Sequence, residues 1–178
     1  MSLHFERALF VVAPQDSGKS TTLRSLFNDR RLGTNGKVPP SSQKRLSEEF
    51  WLSNERRLYL RLTSPHEVGE ILDQFLGKTR SKMTGGRWCF AGPLQPDAFK
   101  QMPDVVATVR AFNTAFSPER CRVIFLSPNR HGTEVDQFAL NRDPRDELLS
   151  ISGVEVACLD GRRRNVNGLQ LADFFDFT

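Results

Sequence analysis

Apolar residues along this chain fall into two rhythms. Continuous runs form the first. RALFVVA at 7–13 and RCRVIFLS at 120–127 read as strands covered on both faces, as in a parallel sheet. RWCFAGP at 87–93 and VEVACLD at 154–160 repeat the pattern. EEFWLS at 48–53 and RRLYLRLT at 56–63, parted by Asn54-Glu55, predict a hairpin of two strands. The second rhythm is helical. Leu23, Leu26 and Phe27 share a face over 19–28, and Val68, Ile71, Leu72, Phe75 and Leu76 do so over 66–77. Residues 97–115 read as mostly helical, with Pro103 at a break or a helix start. Residues 144–152 suggest a short helix. In 165–177, Leu171, Phe174 and Phe175 stand at i, i+3, i+4 spacing and predict a buried face on a closing amphipathic helix. Polar stretches at 29–45 and 128–143 read as loops, the first long enough to be functional.

Strands alternating with helices predict an α/β chain. The expected architecture is a three-layer sandwich with a mostly parallel sheet and one antiparallel hairpin strand, as a single domain over residues 1–178. Hydrophobic residues make up 38% and charged residues 26%, an ordinary globular mix. A net charge of +4 is compatible with phosphate ligands and does not demand nucleic acid. Cys89, Cys121 and Cys158 each lie in or beside an apolar run, with no metal or redox spacing; buried free thiols in a reducing compartment are the simplest reading. The apolar run at 8–13 is too short for a signal core or a membrane span. A cytoplasmic protein without membrane contact is expected.

Chemistry concentrates where the first strand ends, at Ala13-Pro14-Gln15-Asp16-Ser17-Gly18-Lys19-Ser20-Thr21. A turn between a strand and a helix can aim successive backbone N–H groups at a phosphate, and the helix adds its positive end. Gly18 permits close backbone approach, Lys19 supplies a cation and the Ser20 hydroxyl suits Mg2+.

On these residues the segment 8–27 resembles the P-loop NTPase superfamily, with Ala13 in place of the usual first glycine and Asp16 where many members carry glycine. The resemblance implies a P-loop fold for the whole chain. It implies phosphate contact by residues 13–21, Lys19 as the catalytic cation, Ser20 on the metal, and Mg2+ with ATP or GTP as ligand. The order of elements is similar to that of small GTPases, which would make residues 29–45 the first switch. LTSPHE at 62–67 stands where that family carries Asp-x-x-Gly, with Leu62 or Thr63 for the Asp and Pro65 for the Gly. Asn129-Arg130 faintly echoes the guanine-reading motif but its Asp is absent, so guanine specificity is not supported; Asp160-Gly161 ends the last strand, where a base or ribose contact could form. The chain also resembles nucleoside and small-molecule kinases, for which Arg130, Arg142 and Arg145 would form an arginine lid.

Neither RLYLRLTS nor RVIFLS ends in the carboxylate that usually supports the metal. The expected function is therefore nucleoside-triphosphate binding with weak hydrolysis or a nucleotide-dependent switch. A phosphotransferase and a pseudo-NTPase interaction module are the alternatives. A protein partner is compatible with either switch or module. Arg162-Arg163-Arg164 read as a solvated run or a grip for nucleic acid or an acidic partner. His66 reads as a surface residue at a helix start, or as a water-positioning group. His4 and His131 have no neighbour at metal spacing.

Overall fold

The computed structural model describes residues 3–43, 49–137 and 143–176. The described residues form an α/β fold with a six-stranded sheet, mostly parallel, and five α-helices. The strands are β1 (Leu3–Val12), β2 (Glu49–Trp51), β3 (Arg56–Leu60), β4 (Gly86–Leu94), β5 (Arg120–Leu126) and β6 (Val154–Leu159). The helices are α1 (Lys19–Arg24), α2 (Leu72–Lys82), α3 (Val105–Phe116), α4 (Arg145–Leu149) and α5 (Arg164–Asp173). Strand order is β2-β3-β4-β1-β5-β6. Among the described strands only β2 with β3 pairs antiparallel, so the expected hairpin forms, with shorter strands than the apolar runs suggest.

The central position of β1 follows from its composition. Parallel neighbours on both sides and helices on both faces leave no side open to water, which only an apolar run tolerates. Phe5, Ala8, Phe10 and Val12 enter one core with α2, α3 and α4. Leu9, Val11 and Ala13 enter the other with α1 and α5. Phe5 and Ala8 share a face although three residues apart because the β1–β4 register shifts between Phe5 and Arg7. The first core centres on aromatic rings: Phe10 meets Phe112 edge-to-face at 5.0 Å, a contact worth about 0.5–1.5 kcal/mol beyond the area it buries.

Several boundaries differ from the sequence expectation. The helix expected over 66–77 begins at Leu72 instead, because Gly69 takes φ 68° and His66 is buried in a turn. Residues 97–104 are not helical; Asp104 caps α3 by accepting from the Ala107 amide at 2.9 Å. The first helix is α-helical only to Arg24 and tightens to a 3-10 turn over Ser25–Asn28. Residues 29–43 hold a 3-10 turn, Arg30–Leu32, whose Leu32 is buried; residues 44 and 45 lie outside the described residues. Cys89 and Cys121 are buried, and burial pushes both thiols up to about 12. Cys158 is exposed, contrary to expectation, because β6 is an edge strand.

The closing helix behaves as its spacing predicts: Leu171, Phe174 and Phe175 are buried. Leu169 lies on the outer face, half exposed. Arg7 donates to the Phe174 carbonyl, and Arg56 donates to those of Phe175 and Asp176. These bonds satisfy carbonyls that a helix end leaves without partners. No helix among the described residues is long and apolar enough to cross a membrane.

Candidate functional site

The loop after β1 is built by two left-handed residues, Asp16 at φ 58° and Gly18 at φ 98°. A short polar side chain or none is what this conformation favours, so the aspartate meets the same backbone demand as a glycine at position 16. The first bond of α1 runs from the Thr22 amide to the Gly18 carbonyl at 2.9 Å, so the amides of Lys19, Ser20 and Thr21 open the helix ahead of its ladder. Amides turned this way form a concave cradle for an anion. Below the cradle, Ala13 belongs to the apolar core and its amide donates to the Leu94 carbonyl at 3.4 Å.

A cleft of about 180 Å³ opens over this loop, lined by Asp16, Ser17, Gly18, Lys19, Ser20, Thr21, Glu67 and Arg130. Ala13, Pro14 and Gln15 support the loop without lining the cleft. Lys19 is 3% exposed. Its Nζ donates to the Pro14 carbonyl at 2.8 Å and stands 3.3 Å from Glu67 Oε1. Burial lowers the Lys19 pKa, and the Glu67 carboxylate opposes that shift, with a smaller contribution from Asp16. Ser20 Oγ donates to the Leu62 carbonyl at 2.6 Å. This contact joins α1 to the chain leaving β3.

Glu67 is the residue that sequence reasoning missed. It sits on the turn after β3, within the stretch that lacks the expected carboxylate-and-glycine motif. Its neighbour His66 is fully buried, not a surface residue. His66 Nδ1 accepts from the Gln95 amide at 3.4 Å, and Nε2 donates to the Pro103 carbonyl at 2.8 Å. Burial lowers its pKa, and Lys19 nearby adds to the shift. With both ring nitrogens engaged, His66 braces the turn that carries Glu67.

The loop after β5 closes the other side. The Arg130 amide donates to the Ser17 carbonyl at 3.3 Å, and Asn129 Nδ2 donates to Ser17 Oγ at 3.3 Å. A Cβ at Gly18 would stand 3.3 Å from Arg130 Cβ, so the bare glycine lets the arginine lie against the loop. His131 Nε2 is within reach of two groups: it accepts from Arg130 Nε at 3.1 Å in one tautomer and donates to the Asp16 carbonyl at 3.0 Å in the other. Of the other lid candidates, Arg145 is held by Asp143 and Asp136, away from the cleft, and Arg142 lies outside the described residues.

Residues 29–43 do not line the cleft. Arg24 binds the carbonyls of Pro40 and Gln43, and Arg31 bridges Asp29 and Asp173, so this stretch lies against α1 and α5. Arg162 is paired with Asp160. Among the described residues, no group of three histidine, cysteine or acidic residues could hold a metal ion by itself. Ser20 and Glu67 nevertheless offer a hydroxyl and a carboxylate in one cleft, a donor set that suits a Mg2+ arriving with phosphate oxygens.

Compared with known proteins, the chain matches no family model, no curated protein and no solved structure.

Proposed function

We propose that this chain binds a nucleoside triphosphate, with Mg2+, in the cleft formed by residues 16–21, Glu67 and Arg130. The observation that carries this reading is the loop after β1: left-handed Asp16 and Gly18 lead into α1 beside a wholly polar cleft that also holds a buried lysine. Lys19 would contact phosphate, trading its Pro14 and Glu67 contacts for a more highly charged partner. Ser20 and Glu67 would hold the Mg2+, which neutralises charge on the phosphates when bound. The Ser20 hydroxyl would then leave the Leu62 carbonyl.

Slow hydrolysis or a nucleotide-dependent switch fits best. Glu67, one of the two carboxylates lining the cleft with Asp16, is engaged with Lys19 and so is not free to act as a base. A phosphotransferase is the second reading, favoured by Arg130 at the cleft wall. Calorimetric titration with ATP, GTP and their diphosphates, with and without Mg2+, tests the first claim. Saturable triphosphate binding is expected, and its absence overturns the reading. Diphosphate release that requires an acceptor would favour the phosphotransferase; slow release without one supports the switch or weak hydrolase.

A further inference from the structure

We propose that this cleft recognises the phosphate chain alone, so that its ligands are polyphosphates irrespective of the base they carry, with Arg130 as the outer cation. The proposal rests on the triphosphate-binding reading and narrows its ligand class.

The first argument is the wall of the cleft. Every described residue lining it is polar, charged or glycine. A nucleobase is a flat, largely apolar ring, and sites that hold one supply apolar or aromatic surface together with placed hydrogen-bonding groups. At about 180 Å³ the cleft is also smaller than the roughly 300–1,000 Å³ of sites that enclose whole small molecules.

The second argument is that the two strand ends where a base contact is expected are packed on each other. The Gly161 amide donates to the Pro128 carbonyl at 2.7 Å. A Cβ at Gly161 would stand 3.1 Å from that carbonyl oxygen and 3.2 Å from the Arg130 amide nitrogen. Backbone meets backbone there, leaving no slot between the loops for a ring. Asn129 is 4% exposed and bonded through both its oxygen and its nitrogen. Its Oδ1 accepts from the amides of His131 and Thr133, and its Nδ2 donates to Ser17. The Asp160 carboxylate is bound by the Arg162 amide and guanidinium. Groups that could read a base are thus committed to shaping the loop.

The third argument is charge. Lys19 is balanced by Glu67, and Asp16 adds a second carboxylate to the wall. Arg130 has no carboxylate partner among the described residues, yet its backbone is tied to Ser17 and its side chain packs on Gly18. A guanidinium on the wall of the cleft adds a cation there and offers paired donors to phosphate oxygens.

Calorimetric titration of the full chain, with Mg2+, against ATP, GTP, CTP, UTP, inorganic tripolyphosphate, adenosine and guanosine is the test. The four triphosphates and tripolyphosphate should bind within about threefold of one another, well below the tenfold that a single good base contact confers, and the nucleosides should not bind. Arg130→Ala should weaken all five polyphosphates by a common factor of about tenfold, since it removes a charge-assisted phosphate contact. Arg130→Lys should recover part of the loss. A preference of tenfold or more for one base, binding of a free nucleoside, or failure of tripolyphosphate to bind while ATP binds would overturn the proposal and leave the triphosphate reading standing. An Arg130→Ala variant with unchanged affinities would remove Arg130 from it. If no polyphosphate binds the wild-type chain, the triphosphate reading itself falls.

Discussion

Glu67 Oε1 stands 3.3 Å from Lys19 Nζ, joining the turn after β3 to the first residue of α1 across the cleft. An anion entering this cleft competes with a carboxylate already in place. Glu67→Gln removes that competitor, and a partly exposed pair is worth up to about 1 kcal/mol. Metal-free pyrophosphate should therefore bind the variant more tightly, by about fivefold. Lys19→Ala should weaken binding by about tenfold or more, by loss of a charge-assisted contact. Titration calorimetry on the two variants decides it; equal affinity in wild type and Glu67→Gln would mean that the pair does not restrain the lysine.

His66 makes stability depend on pH in a defined window. Its folded pKa lies below the ordinary value of 6.5, chiefly through burial. The unfolded chain therefore takes up a proton first as pH falls. The stability of neutral His66 is fully present above about 6.5 and is lost as pH drops from there toward the folded value. Carboxylates titrate lower, near about 4. The melting temperature should fall between pH 7.5 and 5.5, and less steeply in His66→Gln. Parallel slopes in the two proteins would assign the dependence elsewhere.

Gly168 sets the distance between α5 and the turn after α1. A Cβ there would lie 1.9 Å from the Ser25 carbonyl oxygen, which is backbone and cannot swing aside. Alanine is the better helix former by about 1 kcal/mol, but the overlap forces α5 away from that turn at a cost of about 1–3 kcal/mol or more. Gly168→Ala should lower stability by about 2 kcal/mol, which denaturant titration would measure. A stabilised variant would show that the helices can part freely.

Glu6 is buried in β1, where Arg56 donates to it at 2.6 Å and Arg87 binds its other oxygen. Arg56→Met leaves that carboxylate short of charge and frees the carbonyls of Phe175 and Asp176, for a loss of about 3 kcal/mol. Replacing both partners, as in Glu6→Leu with Arg56→Met, removes the stranded charge and should cost less than Arg56→Met alone. A double-mutant cycle by thermal unfolding reads the difference.

The buried strands were legible in the chain because a strand covered on both faces must be apolar throughout, whatever its neighbours are. β1, β4 and β5 appear within a few residues of their expected positions for that reason. The buried face of α5 was legible through helical spacing, and the strand–turn–helix at residues 13–21 through the polar turn between two apolar segments. The helix expected over 66–77 shows the limit. Its apolar spacing is real, yet Val68 is exposed, since bonds from His66 to Gln95 and Pro103 pull the first half into a turn. Those partners lie far along the chain, and no local pattern encodes them. Nor could spacing reveal that Glu67 would meet Lys19, that Arg130 would lie on Gly18, or that Arg56 would bind the last carbonyls. Local periodicity is set by which face a residue must bury, and the sequence alone determined that. Which charges meet across the cleft is set by strand order and loop packing, and only the tertiary structure decided it.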